Sequence, residues 1–158
     1  MTKKNNLYIG KAGHLAVMSE FLVLGWNVAI PEVDTGDDIF VVEDEKGTLR
    51  RVQVKTSEAT IREDGFSAQF QVPLAQLQTI GNILVHYVFI VRYNKAWYAP
   101  VIIRQDYLLD YFENKNMGSK YNDHINLYFS YSKNKVICSK LDLTMYIADY
   151  TDFPKIEH

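Results

Sequence analysis

The chain has 158 residues, 47% hydrophobic and 23% charged, which fits one domain (1–158) with a single core and excludes disorder. A formal net charge of −2 leaves no global field to draw nucleic acid, so such binding needs a local basic patch, which Lys3, Lys4 and Lys11 with Arg50, Arg51, Lys55 and Arg62 can supply. The single cysteine, Cys138, excludes an intrachain disulfide and a cysteine-rich zinc site, and no stretch approaches the ~18 apolar residues of a membrane span, so a protein of the reducing cytoplasm is expected.

Leu15, Val17, Met18, Phe21, Leu22 and Leu24 recur at helical spacing and predict a helix over 10–24, closed by Gly25. A short strand over 26–30 stops at Pro31, and 32–37 has loop chemistry. Strands over 38–43 and 49–56 flank a turn at 44–47 and predict an antiparallel hairpin. A polar stretch over 57–65 leads to an alternating strand over 66–72, and Pro73 suits the first turn of a short helix over 74–80. Strands over 84–92 and 96–103 predict a second hairpin, followed by a helix over 105–113 and a polar loop over 114–123. Strands over 125–131 and 135–139 form a last hairpin, with a short helix near 143–148. This mixed order argues for an α/β or α+β mixed sheet and against a βαβ repeat.

The chemistry concentrates in Val52-Gln53-Val54-Lys55-Thr56-Ser57. In a strand, Gln53 and Lys55 share one face while Val52 and Val54 take the other. The neighbouring strand opens at Asp38, and the hairpin brings that end near Lys55. An acid, an amide and an ammonium so gathered can hold a divalent ion and a phosphate: Asp38 and the Gln53 carbonyl offer hard oxygens, and Lys55 offers charge or orients water. The bland alternative makes Gln53 and Lys55 the solvent face of an amphipathic strand, with Asp38 pairing Lys55 at the surface.

The ordered set Gly10-Lys11-Ala12-Gly13-His14, Leu24-Gly25-Trp26-Asn27-Val28, Pro31, Gly36-Asp37-Asp38-Ile39 and Val52-Gln53-Val54-Lys55-Thr56-Ser57 resembles the PD-(D/E)xK nuclease superfamily, in a small Gln-x-Lys variant distantly similar to Holliday junction resolvases. The resemblance implies a restriction-endonuclease-like fold, a mixed central sheet flanked by helices. It also implies a Mg²⁺- or Mn²⁺-dependent endonuclease acting on nucleic acid, DNA before RNA, and a homodimer. By position it makes Asp38 the metal aspartate, with Asp34 and Asp37 close enough to compete, Gln53 the acidic or amide position, and Lys55 the lysine.

The departure is in the first helix, where related nucleases often carry Glu after a Gly and this chain has His14 after Gly13. A neutral imidazole suits Mn²⁺ better than Mg²⁺, so His14 reads either as a further metal ligand or as a helix-surface residue. Glu20 cannot replace it, because six residues rotate it roughly 240° away. The rival reading is therefore a catalytically eroded module that keeps the fold and binds nucleic acid or a protein. No phosphate-binding glycine loop is present, and Cys138, mid-strand with no nearby His, reads as a core thiol.

Overall fold

The computed structural model describes residues 3–33 and 39–158. Helix α1 spans Lys3–Val23, beginning seven residues before the apolar pattern does, because its first turns are exposed and carry no periodicity to read. It stops where expected. Gly25 takes φ +89°, its N–H reaches the Leu22 carbonyl at 2.9 Å, and the Trp26 N–H reaches that of Phe21 at 3.0 Å, the paired bonds of a Schellman cap.

The chain then forms β1 (Asn27–Ala29), β2 (Ile39–Glu43), β3 (Thr48–Glu58), β4 (Thr60–Arg62), β5 (Gly65–Pro73), α2 (Leu74–Gln78), β6 (Val85–Tyr93), β7 (Ala96–Trp97), β8 (Val101–Arg104) and α3 (Gln105–Asn114). β9 (Ser119–Tyr121), β10 (His124–Ser132), β11 (Lys135–Cys138), β12 (Leu141–Asp142) and a 3₁₀ turn at Thr144–Tyr146 follow. The first sheet runs β1-β2-β3-β6-β7, with β8 also on β6; β3 and β6 are parallel and every other pair is antiparallel. The second sheet runs β12-β11-β10-β5-β4, with β9 beside β10, and is antiparallel throughout.

The expected mixed central sheet is thus present, with helix α1 on one face. On that side Val17 and Phe21 pack on Ile39, Val41, Val52, Val54, Val88 and Ile90. The other face is covered mainly by the second sheet, which the sequence reading did not separate: Phe66, Phe70, Leu127 and Phe129 pack on Tyr87, Phe89, Val91 and Ile103. Buried from both sides, β6 reads as a near-continuous apolar run, as a strand in parallel pairing should.

Three local expectations differ. Thr60–Arg62, inside the predicted polar stretch, pairs with β5 as an edge strand. Ser119–Tyr121, inside the predicted polar loop, pairs with β10 across a turn in which Asn122 adopts φ +53°. The predicted strand over 96–103 breaks at Pro100, which has no N–H for the ladder.

Two close fits hold α1 and the C-terminal segment in place. A Cβ added at Gly13 would lie 2.3 Å from Thr56 Oγ1, so glycine sets the approach of α1 to β3. Gly13→Ala should destabilise the protein by about 1–3 kcal/mol in urea unfolding, with part of the loss recovered in a double variant with Thr56→Ala. At the other end of the sheet His86, 2% exposed, places Nε2 2.8 Å from Asp152 Oδ2, and Phe153 packs on Phe21, Trp26 and the His86 ring. Burial holds the His86 imidazole below its ordinary value of 6.5, and Arg50 and Arg104 push the same way against the pull of Asp152. The unfolded chain therefore takes up this proton first as the pH falls, so the contribution is complete above 6.5 and drains away toward the lower folded value. Between about pH 7 and about pH 5, the melting temperature of His86→Phe should fall less steeply than that of the wild type.

Candidate functional site

Alternation along β3 sorts the motif as its sequence pattern requires. Val52 and Val54 enter the core beneath α1, and Gln53 and Lys55 take the opposite face, about 7 Å apart along the strand. Gln53 is only 3% exposed, which removes it from any solvent face, and Lys55 is half-buried. The described part of β2 begins at Ile39, opposite Val52. β3 runs on to Glu58 with β6 on one edge, while among the described residues no strand pairs with its other edge past Val52. The first turns of α1 lie alongside this stretch instead.

Lys55 sits where two grooves meet. One, of about 510 Å³, is lined by Gly10, Lys11 and His14 of α1 with Val54, Lys55 and Thr56. The other, of about 410 Å³, is lined by Asn6, Lys55, Ser57, Glu58, Gln69 and Gln71, and so connects β3 to β5 of the second sheet. Gln53 opens into a separate cavity of about 400 Å³ with Arg51, Gln76, Tyr87 and Gln105. That cavity's wall is fixed by Gln105, whose Nε2 donates to the carbonyls of Gln76, Leu77 and Thr79 at 2.9, 3.0 and 3.0 Å, capping the end of α2. Gln76 Oε1 is buried there without a partner, and the Gln53 side chain, 3% exposed, lines the same cavity.

Of the residues singled out from the sequence, Gln53 and Lys55 share a face, and His14 shares a groove with Lys55. Asp38 lies outside the described residues, as do Asp34 and Asp37. Among the described residues no three His, Cys, Asp or Glu side chains gather closely enough to hold a metal ion. Asn6, Glu58, Gln69 and Gln71 were not foreseen beside Lys55. The alternation Gln69-Phe70-Gln71-Val72 predicted their outward direction, but no local signal tells which groove an outward side chain lines. Cys138 is a buried thiol whose pKa burial raises, in keeping with a core role. Most of the aromatic residues pack in the core, with Phe66 stacked between Tyr93 and Tyr131 at centroid distances of 4.1 and 4.5 Å.

No protein-family model and no curated protein matches this chain. A solved structure does. The chain shares its fold with a bacterial homing endonuclease, I-Ssp6803I. The TM-score is 0.56 over 92% of this chain and 90% of that one, at 18% sequence identity, so the likeness is one of fold. No helix among the described residues is long and apolar enough to cross a membrane.

Burying an amide, as Gln53 is buried here, costs the fold a desolvation that a leucine at the same position does not incur. Gln53→Leu should therefore hold or raise stability, by up to about 1–3 kcal/mol in urea unfolding. A clear loss would show that Gln53 serves the fold rather than a ligand.

Proposed function

We propose that this chain is a divalent-metal-dependent endonuclease of the PD-(D/E)xK type that hydrolyses phosphodiester bonds in DNA. The observation that carries this reading is the buried Gln53 amide, which lines a cavity on the same face of β3 as the half-buried Lys55, in a fold shared with a homing endonuclease. Gln53 Oε1 is a hard, neutral oxygen of the kind Mg²⁺ and Mn²⁺ accept. The sequence assigns a second oxygen to Asp38, and water and the substrate's phosphate complete a shell that Mg²⁺ commonly leaves to them. A bound ion would supply charge against the phosphate and lower the pKa of its water.

The remaining work falls to the chain's own groups. The half-buried Lys55 ammonium neutralises charge developing on the phosphate oxygens or orients the attacking water. The Gln53 amide holds one ligand position without adding negative charge, which makes for weak Mg²⁺ affinity. His14, on the groove that Lys55 lines, is a candidate ligand for Mn²⁺ rather than Mg²⁺. A homodimer that addresses both strands and a cytoplasmic location belong to the same reading.

The second reading, an eroded module that binds nucleic acid or a protein without cutting, is favoured by His14 after Gly13. Nicking of supercoiled plasmid and cleavage of branched DNA in Mg²⁺ or Mn²⁺, wild type beside Lys55→Ala, separate the two. The nuclease reading expects a loss of about 10²-fold or more on substitution and no cleavage in excess chelator. Equal cleavage by both proteins, or none by either, would leave the binding module.

A further inference from the structure

β3 does not end at the candidate site. One residue past Glu58 the chain enters β4, turns, and returns as β5, so the ribbon at the edge of the second sheet is a direct extension of the strand that carries Lys55. Its outward positions are Thr60 and Arg62 on β4 and Ser67, Gln69 and Gln71 on β5, continued across the sheet by Asn126, Tyr128 and Ser130 of β10. No carboxylate occurs among them. Gln69 and Gln71 are exposed and line the groove that holds Lys55.

Arg62 is held in place beside them. Its Nε donates to Ser67 Oγ at 2.9 Å, its terminal nitrogen bonds the Tyr128 hydroxyl, and its guanidinium carbon lies 5.9 Å from the Tyr128 ring centroid. The Tyr128 hydroxyl also bonds Ser67 Oγ, at 2.8 Å. A guanidinium pinned in this way loses little freedom on meeting an anion. The acidic residues nearby are Glu58 in the groove and Glu63 and Asp64 at the ribbon's turn. Solvent alone accounts for the polarity of an outer sheet face. It does not account for an acid-free run of amides, a pinned cation and a groove shared with Lys55.

We propose that the outward face of β5, beyond the end of its pairing with β4 at Ser67 and flanked there by β10, is the base-reading surface for duplex DNA, with Gln69 and Gln71 selecting adenines in the major groove beside the bond to be cut. The proposal rests on the nuclease reading for its substrate. The major groove admits a pair of strands, which at Gln69 and Gln71 is β5 with β10, and a glutamine amide matches the N6 donor and N7 acceptor of adenine. Alternate residues on a strand are about 6.8 Å apart, the span of two base-pair steps of about 3.4 Å, so Gln69 and Gln71 address positions two apart. The acidic turn keeps the tip away from the phosphates, so the ribbon approaches by its face, where Arg62 meets the backbone.

Selection from a randomised duplex library in Ca²⁺, followed by cleavage of the recovered duplexes in Mn²⁺, tests this on the full chain. Wild type should enrich adenines two positions apart. Gln69→Ala and Gln71→Ala should each lose about tenfold of the preference at one position, and Gln69→Glu should move its position toward cytosine, whose N4 donates to a carboxylate. Retention of the wild-type motif by all three variants, or enrichment of no motif by the wild type, overturns the role of this face. Enrichment of the motif without cleavage supports that role and removes the nuclease reading. Cleavage with no change of motif among the variants does the reverse.

Discussion

The parallel pairing of β3 with β6, from Arg51 opposite Val85 to Glu58 opposite Arg92, is the constraint on which the rest of this structure depends. Parallel strands need a long crossover, and here the crossover is β4, β5 and α2, which build one side of the second layer on the way. The pairing also carries β3 beyond the described start of β2. Polar side chains on that stretch have β6 on one flank and the first turns of α1 on the other. Every concave surface around Lys55 follows from this arrangement.

Burial on both faces of the central sheet is what makes Gln53 informative. The neighbouring β6 supplies Tyr87 beside it, and Arg51, Gln76 and Gln105 line the same cavity, so the buried amide faces an enclosed polar space. A fold selected for stability alone has no reason to keep it there. Nearby polar groups are committed to the fold: Gln105 spends its amide on three carbonyls at the end of α2, and His86 Nε2 is joined to Asp152. Gln105 is committed to backbone carbonyls while Gln53 lines the same cavity, and that position is the physical basis for reading Gln53 as a ligand-facing group.

Much of the local structure was legible. The C-terminal cap of α1 followed from Gly25, the hairpin of β2 and β3 from alternation about 44–47, and the shared face of Gln53 and Lys55 from the two-residue period of a strand. Elements with weak local signals were missed. The exposed first turns of α1 have no apolar stripe, and β4 and β9 are three-residue polar segments that become strands only because β5 and β10 offer them a partner. The apolar run over 96–103 reads as one strand, but Pro100 lacks the N–H that a ladder needs and the run divides into β7 and β8.

Residue spacing by itself determined which side chains point the same way along β3, since the pleat fixes that whatever the strand packs against. Only the tertiary structure decided what each face meets: that α1 approaches Thr56 closely enough to require Gly13, that Gln53 is enclosed, and that Gln69 and Gln71 flank Lys55. Periodicity is a property of neighbouring residues in the chain. Those juxtapositions come from a helix and a second sheet docking across dozens of residues, which no local pattern encodes.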